Sequence, residues 1–290
     1  MKLMDQIPST ETAPKSKPAA VPVLQRTILP LPTVILAAGR GRRLMPLTQQ
    51  LPKCLIEIGG EPLLMHLLRA LKKAGVRRVE IIIGFGAEQV VAMYERVPLF
   101  AEGGEILFTH HPEWRTGDEL AGLGLSSIAD GDAAGMLVCQ ADVLLAPELL
   151  PRLLMASKGN TLLAELEGVL GEEEAKLQLD GEGRIVAAGA ALDPSLSQAA
   201  FAGMAKFGAI ATEHLLIAAR NAELRELLGL RTLCDAVHQL RAELDFYVAA
   251  VAGEPWIEID YHHDLARARH KVWPAIMSKL AGEKKSVFGA

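Results

Sequence analysis

The feature that most constrains this chain is a short apolar strand running directly into a glycine-rich, arginine-bearing loop. Thr33-Val34-Ile35-Leu36 is followed by Ala37-Ala38-Gly39-Arg40-Gly41-Arg42-Arg43-Leu44. A strand with no polar alternation has to be covered on both faces, which points to a mostly parallel sheet between helical layers. Small residues at the strand's end let a ligand approach the backbone closely. Successive N–H groups in such a turn can cradle phosphate oxygens. Arg43, and Lys53 ten residues on, add cationic charge suited to a polyphosphate.

The chain beyond this loop repeats the pattern. Strands are expected at Val79–Ile83, Ile106–Thr109 and Met136–Cys139, alternating with helices at Pro62–Ala74, Ala87–Arg96 and Glu148–Ala156. Pro62 suits a first helical turn and Gly75 a C-terminal cap. Lys176–Asp180 and Arg184–Ala187, joined through Gly181-Glu182-Gly183, read as an antiparallel hairpin insertion. A strand is expected at Ala205–Ala211, and helices at about 213–226 and 231–243. Short strands follow at Asp245–Ala252 and Trp256–Ile259, then a closing helix from Asp264 to about Leu280, bent or broken at Pro274. The fold class is therefore α/β, three-layered, with a mixed but mostly parallel central sheet.

Composition narrows the function classes. Half of the 290 residues are hydrophobic, enough for a full core. Thirty Lys plus Arg against 35 Asp plus Glu leave a net charge of -5, a poor match to general nucleic-acid binding. Cys54, Cys139 and Cys234 are odd in number and far apart, so neither a disulfide framework nor a cysteine zinc site is expected, and a reducing cytoplasm fits. No apolar stretch approaches a membrane span. Pro8, Pro14, Pro18, Pro22, Pro30 and Pro32 break up the first segment. Residues 1–28 are read as a disordered tail and 29–290 as one domain.

Two familiar glycine loops do not fit. A dinucleotide fingerprint needs Gly or Ala where Leu44 stands, and a P-loop needs Gly-Lys followed by Ser or Thr, which the chain lacks. The spacing Gly39, Gly41, Arg43, Pro46, Thr48, Pro52, Lys53 is more specific than either glycine alone. Two acids complete the candidate set. Asp142 follows the strand at Met136–Cys139, at the end where open α/β sheets bind ligands, and reads equally as a turn aspartate. In Trp256-Ile257-Glu258-Ile259-Asp260, alternation puts Glu258 and Asp260 on one face, which is costly unless cations or a metal face them. Asp264 reads as the cap of the closing helix, Asp260 as a metal ligand, and His262 and His263 as exposed.

The stretch from Leu36 to Leu55 resembles the signature loop of the nucleotidyltransferases that act on sugar phosphates and related phosphorylated alcohols. Trp256–Arg269, with Val272-Trp273-Pro274, resembles the C-terminal signature of the phosphocholine cytidylyltransferase-like branch. The resemblance implies a Rossmann-like nucleotidyltransferase fold. It implies that Leu36, Ala37 and Ala38 lie near base and ribose, that Gly39 and Gly41 lie near the phosphates, and that Arg43 and Lys53 contact them in the transition state. It makes Asp142, like Asp260, a Mg²⁺ ligand, matches Lys176 to a family substrate lysine, and leaves Glu258 to balance a substrate ammonium. CTP, or another NTP, and a small phospho- or phosphono-alcohol such as phosphocholine or 2-aminoethylphosphonate are the implied partners. No nucleic acid or membrane is implied, and a homodimer is left open. The chain departs from the family's pattern at Thr116–Ser127, which lacks an Asn-rich loop, and at Gly189-Ala190, where Gly-Lys is frequent. A sugar-phosphate or inositol-phosphate acceptor, and a nucleotide-binding regulatory domain without turnover, stay open as alternatives.

Overall fold

The computed structural model describes residues 31–132, 134–168 and 170–287; the proposed tail lies outside them. The strands are β1 (Thr33–Ala37), β2 (Glu57–Ile58), β3 (Glu61–Pro62), β4 (Arg78–Ile83), β5 (Glu105–His110), β6 (Met136–Gln140), β7 (Val143–Leu145), β8 (Thr161–Glu165), β9 (Lys176–Leu179), β10 (Ile185–Gly189), β11 (Ala199–Phe207), β12 (Tyr247–Val251) and β13 (Trp256–Glu258). The α-helices are α1 (Leu63–Lys73), α2 (Ala87–Arg96), α3 (Glu119–Gly124), α4 (Leu149–Met155), α5 (Ala209–Arg220), α6 (Ala222–Leu228), α7 (Leu233–Leu240), α8 (His262–Arg267) and α9 (Trp273–Val287).

Among the described residues the main sheet runs β10-β9-β11-β6-β1-β4-β5, with β8 on β11 and β12 on β8. β6, β1, β4 and β5 are parallel, as are β8 and β12, while β11 is antiparallel to its neighbours. The expected hairpin, β9–β10, extends this sheet from β11. Sheet alternation divides the core in two. Ile35 and Ala37 pack with Leu64, Leu68 and Leu71 of α1, Val90 of α2 and Leu153 of α4. Val34 packs on the other face with Leu120 of α3, Leu215 of α5 and Val237 of α7. The architecture is the expected three-layer Rossmann-like one.

Most elements lie within a residue or two of expectation, and α2 has the expected bounds. Four segments differ. The helix expected at about 213–226 is two, α5 and α6, divided at Asn221, whose side chain accepts from the Leu224 N–H. The expected strand at 205–211 begins earlier, at Ala199, and ends at Phe207; Ala209–Ala211 belong to α5. All nine residues of β11 are buried, so its alanine-rich sequence carries no period that would have marked its start. Thr116–Ser127, read as loop, contains α3, whose N-cap Asp118 accepts from the Ala121 N–H at 2.8 Å. The closing helix starts at His262, and a π-turn at Ala268–Val272 precedes Pro274, which supplies no N–H to the ladder. β2, β3, β7 and β8 were not anticipated.

Glu80, on β4, is a buried acid that the fold uses structurally. Its carboxylate accepts from Thr109 Oγ1 (2.5 Å), Ser126 Oγ (2.7 Å), Ser127 N (3.0 Å) and Ile128 N (2.9 Å). It thereby anchors the turn after α3. Replacing it with Leu strands two backbone donors and two hydroxyls. Glu80→Leu is expected to lower stability by about 3 kcal/mol in urea unfolding; an unchanged midpoint would show that these donors find water instead.

Candidate active site

The glycine loop leaves β1 at the carboxyl end of the sheet. Gly41 adopts φ +73°, and a Cβ there would lie 3.0 Å from the Lys53 Cβ. Its missing side chain therefore makes room for the lysine stem as well as permitting the turn. Gly39 has open space where a Cβ would stand, consistent with close approach of a ligand to this backbone. Thr48 Oγ1 donates to the Gly41 carbonyl at 2.6 Å, and Arg40 donates to the carbonyls of Thr48 (3.3 Å) and Gln49 (2.8 Å). The loop is thus braced from within, before any ligand arrives.

Lys53 is 7% exposed. Its Nζ donates to Asp142 Oδ2 at 2.8 Å and to Asp260 Oδ1. Burial works against the ammonium charge, but Asp142 and Asp260 outweigh it and hold the pKa above its ordinary value. β13 pairs antiparallel with β7, Glu258 opposite Val143, and the Ile259 N–H donates to the Asp142 carbonyl at 3.0 Å. That short ladder sets Asp142 and Asp260 side by side. Asp264 accepts from the backbone N–H groups of Asp260 (3.2 Å) and Tyr261 (2.9 Å), the expected capping role. His262 contacts the Met45 carbonyl at 2.9 Å, tying this segment to the glycine loop.

Arg43 reaches Asp260 from the rim. It donates to Asp260 Oδ2 (2.7 Å), Glu173 Oε2 (2.7 Å) and Tyr261 Oη (3.1 Å), and stacks 4.8 Å from the Tyr261 ring centre.

Asp142, Glu258 and Asp260 each offer a carboxylate oxygen within 4.8 Å of the others. Asp142 Oδ1 is buried and has no hydrogen-bond partner. An all-oxygen set with one unsatisfied buried oxygen fits a hard divalent cation such as Mg²⁺. Burial, then Asp142 and Asp260, push the Glu258 carboxyl up to about 8. Glu119, delivered by α3, is pushed up to about 7, first by burial and then by Asp142, and is only weakly held by Gln140 Nε2 at 3.4 Å.

Arg43, Glu119, Glu258, Asp260 and Tyr261 line a cleft of about 830 Å³. Among the described residues its lining includes ten acidic residues and two arginines, Arg43 and Arg267, and Ala190 lies there as well. Trp256 donates from Nε1 to Glu165 at 3.0 Å, forming one side. Sequence reasoning brought Arg43, Lys53, Asp142, Glu258 and Asp260 to one place. It missed Glu119, Glu165, Glu173, Trp256 and Tyr261; only the Asp118-Glu119 pair, a cap signal hidden by Gly122 and Gly124, could have revealed one of them.

Lys176 is placed differently from the other candidates. It is fully buried, and its ammonium donates to the carbonyls of Gly171 (3.2 Å), Glu172 (2.7 Å) and Glu174 (3.1 Å). It holds the loop that presents Glu173. Lys176→Met should therefore lower stability by about 2 kcal/mol in urea unfolding, because three carbonyls lose a charged donor. Lost turnover with unchanged stability would instead indicate a substrate contact.

Comparison with known proteins places this geometry. The family described as MobA-like NTP transferase domain matches residues 33–245. A 2-aminoethylphosphonate cytidylyltransferase of Lancefieldella rimae is 26% identical over 239 residues, 82% of this chain and 91% of that protein. Two solved structures share the fold. One is the CTP:phosphocholine cytidylyltransferase from Streptococcus pneumoniae (TM-score 0.65, 21% identity, 83% of this chain and 98% of that one). The other is the inositol-1-phosphate CTP transferase from T. maritima (TM-score 0.66, 20% identity, 85% and 95%). Among the described residues, no helix is long and apolar enough to cross a membrane.

Proposed function

Because the chain belongs to the MobA-like NTP transferase family and is a nucleotidyltransferase, we propose that it transfers a cytidylyl group from CTP to a small phospho- or phosphono-alcohol bearing an ammonium group. The catalytic unit is the single domain 29–290, acting in the cytoplasm. The observation that carries the acceptor class is the ten-to-two excess of carboxylates over arginines in the cleft. Such a wall favours an acceptor with a cationic end and disfavours one that brings only negative charge. Glu165, backed by Trp256, and Glu119 are the acids placed for that ammonium, in place of the expected Glu258, which stands beside Asp142 and Asp260. The name of the Lancefieldella relative supports both CTP and an aminoalkyl phosphonate.

The chemistry asks mainly for position and charge. An oxygen of the acceptor's phosphate or phosphonate attacks the α-phosphorus of CTP, one P–O bond forms, the bond to the β-phosphate oxygen breaks, and pyrophosphate leaves with the electron pair. Leu36, Ala37 and Ala38 flank base and ribose, and the open backbone at Gly39, with Gly41, meets the phosphates. Lys53 and Arg43 move onto the phosphate oxygens and stabilise the charge that develops there. Asp142 and Asp260, with Glu258 as a third oxygen donor, would hold Mg²⁺. When bound, the ion supplies Lewis-acid neutralisation of the triphosphate.

A pyrophosphate-release screen of four NTPs against phospho-alcohols, phosphonates and sugar phosphates tests this directly. The expected best pair is CTP with an aminoalkyl phosphonate or phosphocholine. A clear preference for an inositol or hexose phosphate would refute the acceptor assignment.

Lys53→Ala should retain the fold and lose about 10²–10³ in turnover, since one preorganised charge-stabilising donor is gone. Asp142→Asn and Asp260→Asn should each nearly abolish turnover, and the double variant should be little worse than either single, because the pair acts as a unit. Near-normal Mg²⁺-dependent activity in Asp260→Asn would make the β13 segment structural.

A further inference from the structure

The two cations that would hold the triphosphate are paired with the carboxylates that would hold the metal. Asp260 has both oxygens engaged, Oδ1 by Lys53 and Oδ2 by Arg43 at 2.7 Å. Asp142 Oδ2 accepts from Lys53 at 2.8 Å. Of these two aspartates' four oxygens, only Asp142 Oδ1 has no partner. We propose that Lys53 and Arg43 are built-in counter-ions that keep the acidic site closed to free divalent cations, and that a nucleoside triphosphate opens it by drawing both cations onto its phosphates. The inference rests on the reading of Asp142 and Asp260 as metal carboxylates and adds an order: nucleotide and metal enter together.

Charge and packing both support the exchange. A bare divalent ion approaching Asp142 and Asp260 meets two positive groups already bonded to three of the four oxygens. It would have to give up water for one remaining aspartate oxygen and Glu258, a poor exchange for Mg²⁺, which dehydrates reluctantly. A triphosphate offers Lys53 and Arg43 oxygens of the same charge type, so their ion pairs are exchanged rather than lost. The Lys53 stem runs close along the Gly41 backbone, where an added Cβ would meet its Cβ at 3.0 Å and its Cγ and Cδ at 3.1 Å, so the ammonium end is the part with most freedom to turn. Arg43 is 47% exposed, and its other partners, Glu173 and Tyr261, lie at the mouth of the cleft. No rearrangement of the sheet is needed for either cation to leave. The lysine also offsets the repulsion among three closely placed carboxylates, at the electrostatic position that a metal would take.

Mn²⁺ is the probe, with binding read by electron paramagnetic resonance of the free ion and by the shift it produces in Tm. Wild-type protein should bind Mn²⁺ weakly alone and much more tightly with CTP present and no acceptor. Lys53→Met should bind Mn²⁺ without nucleotide at least about tenfold more tightly than wild type, since a competing charge has left two ligand oxygens. That gain should vanish in the Lys53→Met, Asp142→Asn double variant. Arg43→Gln alters an exposed residue and keeps the fold; freeing Asp260 Oδ2 should tighten Mn²⁺ about threefold, which decides the matter if Lys53→Met does not fold. Mn²⁺ affinity unchanged in both variants, in a wild-type protein that still turns over CTP with Mg²⁺, overturns the counter-ion role and leaves the enzymatic reading standing. Absence of a Mn²⁺ site in every variant and with CTP overturns the counter-ion role together with the metal carboxylates.

Discussion

A buried ammonium between two aspartates organises this protein's cleft. An unpaired lysine at the depth of Lys53 would be strongly unfavourable, and two unpaired aspartates side by side would repel. Each resolves the other's problem, and the bonds span 89 and 207 residues of sequence. Much of the local structure serves that meeting. Gly41 clears space for the lysine stem, Thr48 and Arg40 brace the loop around it, and the β7–β13 ladder aligns the two acids. Asp264 caps the helix that follows, so that Asp260 is held by its own backbone N–H as well as by the lysine.

The electrostatics of the cleft set its chemical preference. A site meant for a triphosphate would ordinarily be expected to be basic. Here the cations are few, and Lys53 and Arg43 are paired with carboxylates. Negative charge entering such a place has to bring or recruit positive charge, and an acceptor with an ammonium group brings some of its own. Glu119 and Glu258, both shifted upward by burial and neighbouring acids, mark how much negative charge the cleft concentrates in one volume. Ala190 and the segment that forms α3 are two of the places where the sequence departs from the pattern it resembles. Both line this acidic wall or feed a residue into it.

The reading of the fold from sequence was strongest where burial is two-sided and the local period is unambiguous. β1 and β6 are nearly continuous apolar runs, β4 is one interrupted by Glu80, and α1 and α2 carry a clear helical stripe, so all five were legible. β11 was misplaced because alanine and glycine serve strand and helix alike and its burial is complete. α3 was read as loop because its glycines mask a helix whose start is set by the Asp118 side chain and whose apolar Leu120 and Leu123 become meaningful only against α5 and the sheet. Lys176 resembled a substrate lysine in sequence position, yet its ammonium is consumed by three carbonyls of its own loop.

The sequence by itself determined the layered α/β class, the phosphate-suited loop and the principal charged residues, because these depend on short-range period, small side chains and spacing along one segment. Tertiary structure alone decided that Lys53 lies between Asp142 and Asp260, that Arg43 is shared among Asp260, Glu173 and Tyr261, and that Glu119 and Glu165 face the same cleft. Those facts depend on a parallel crossover and a two-strand ladder that bring distant segments together. Charge pairing across such distances leaves no periodic trace in the chain, since its energy arises only when burial removes water from groups that are far apart in sequence.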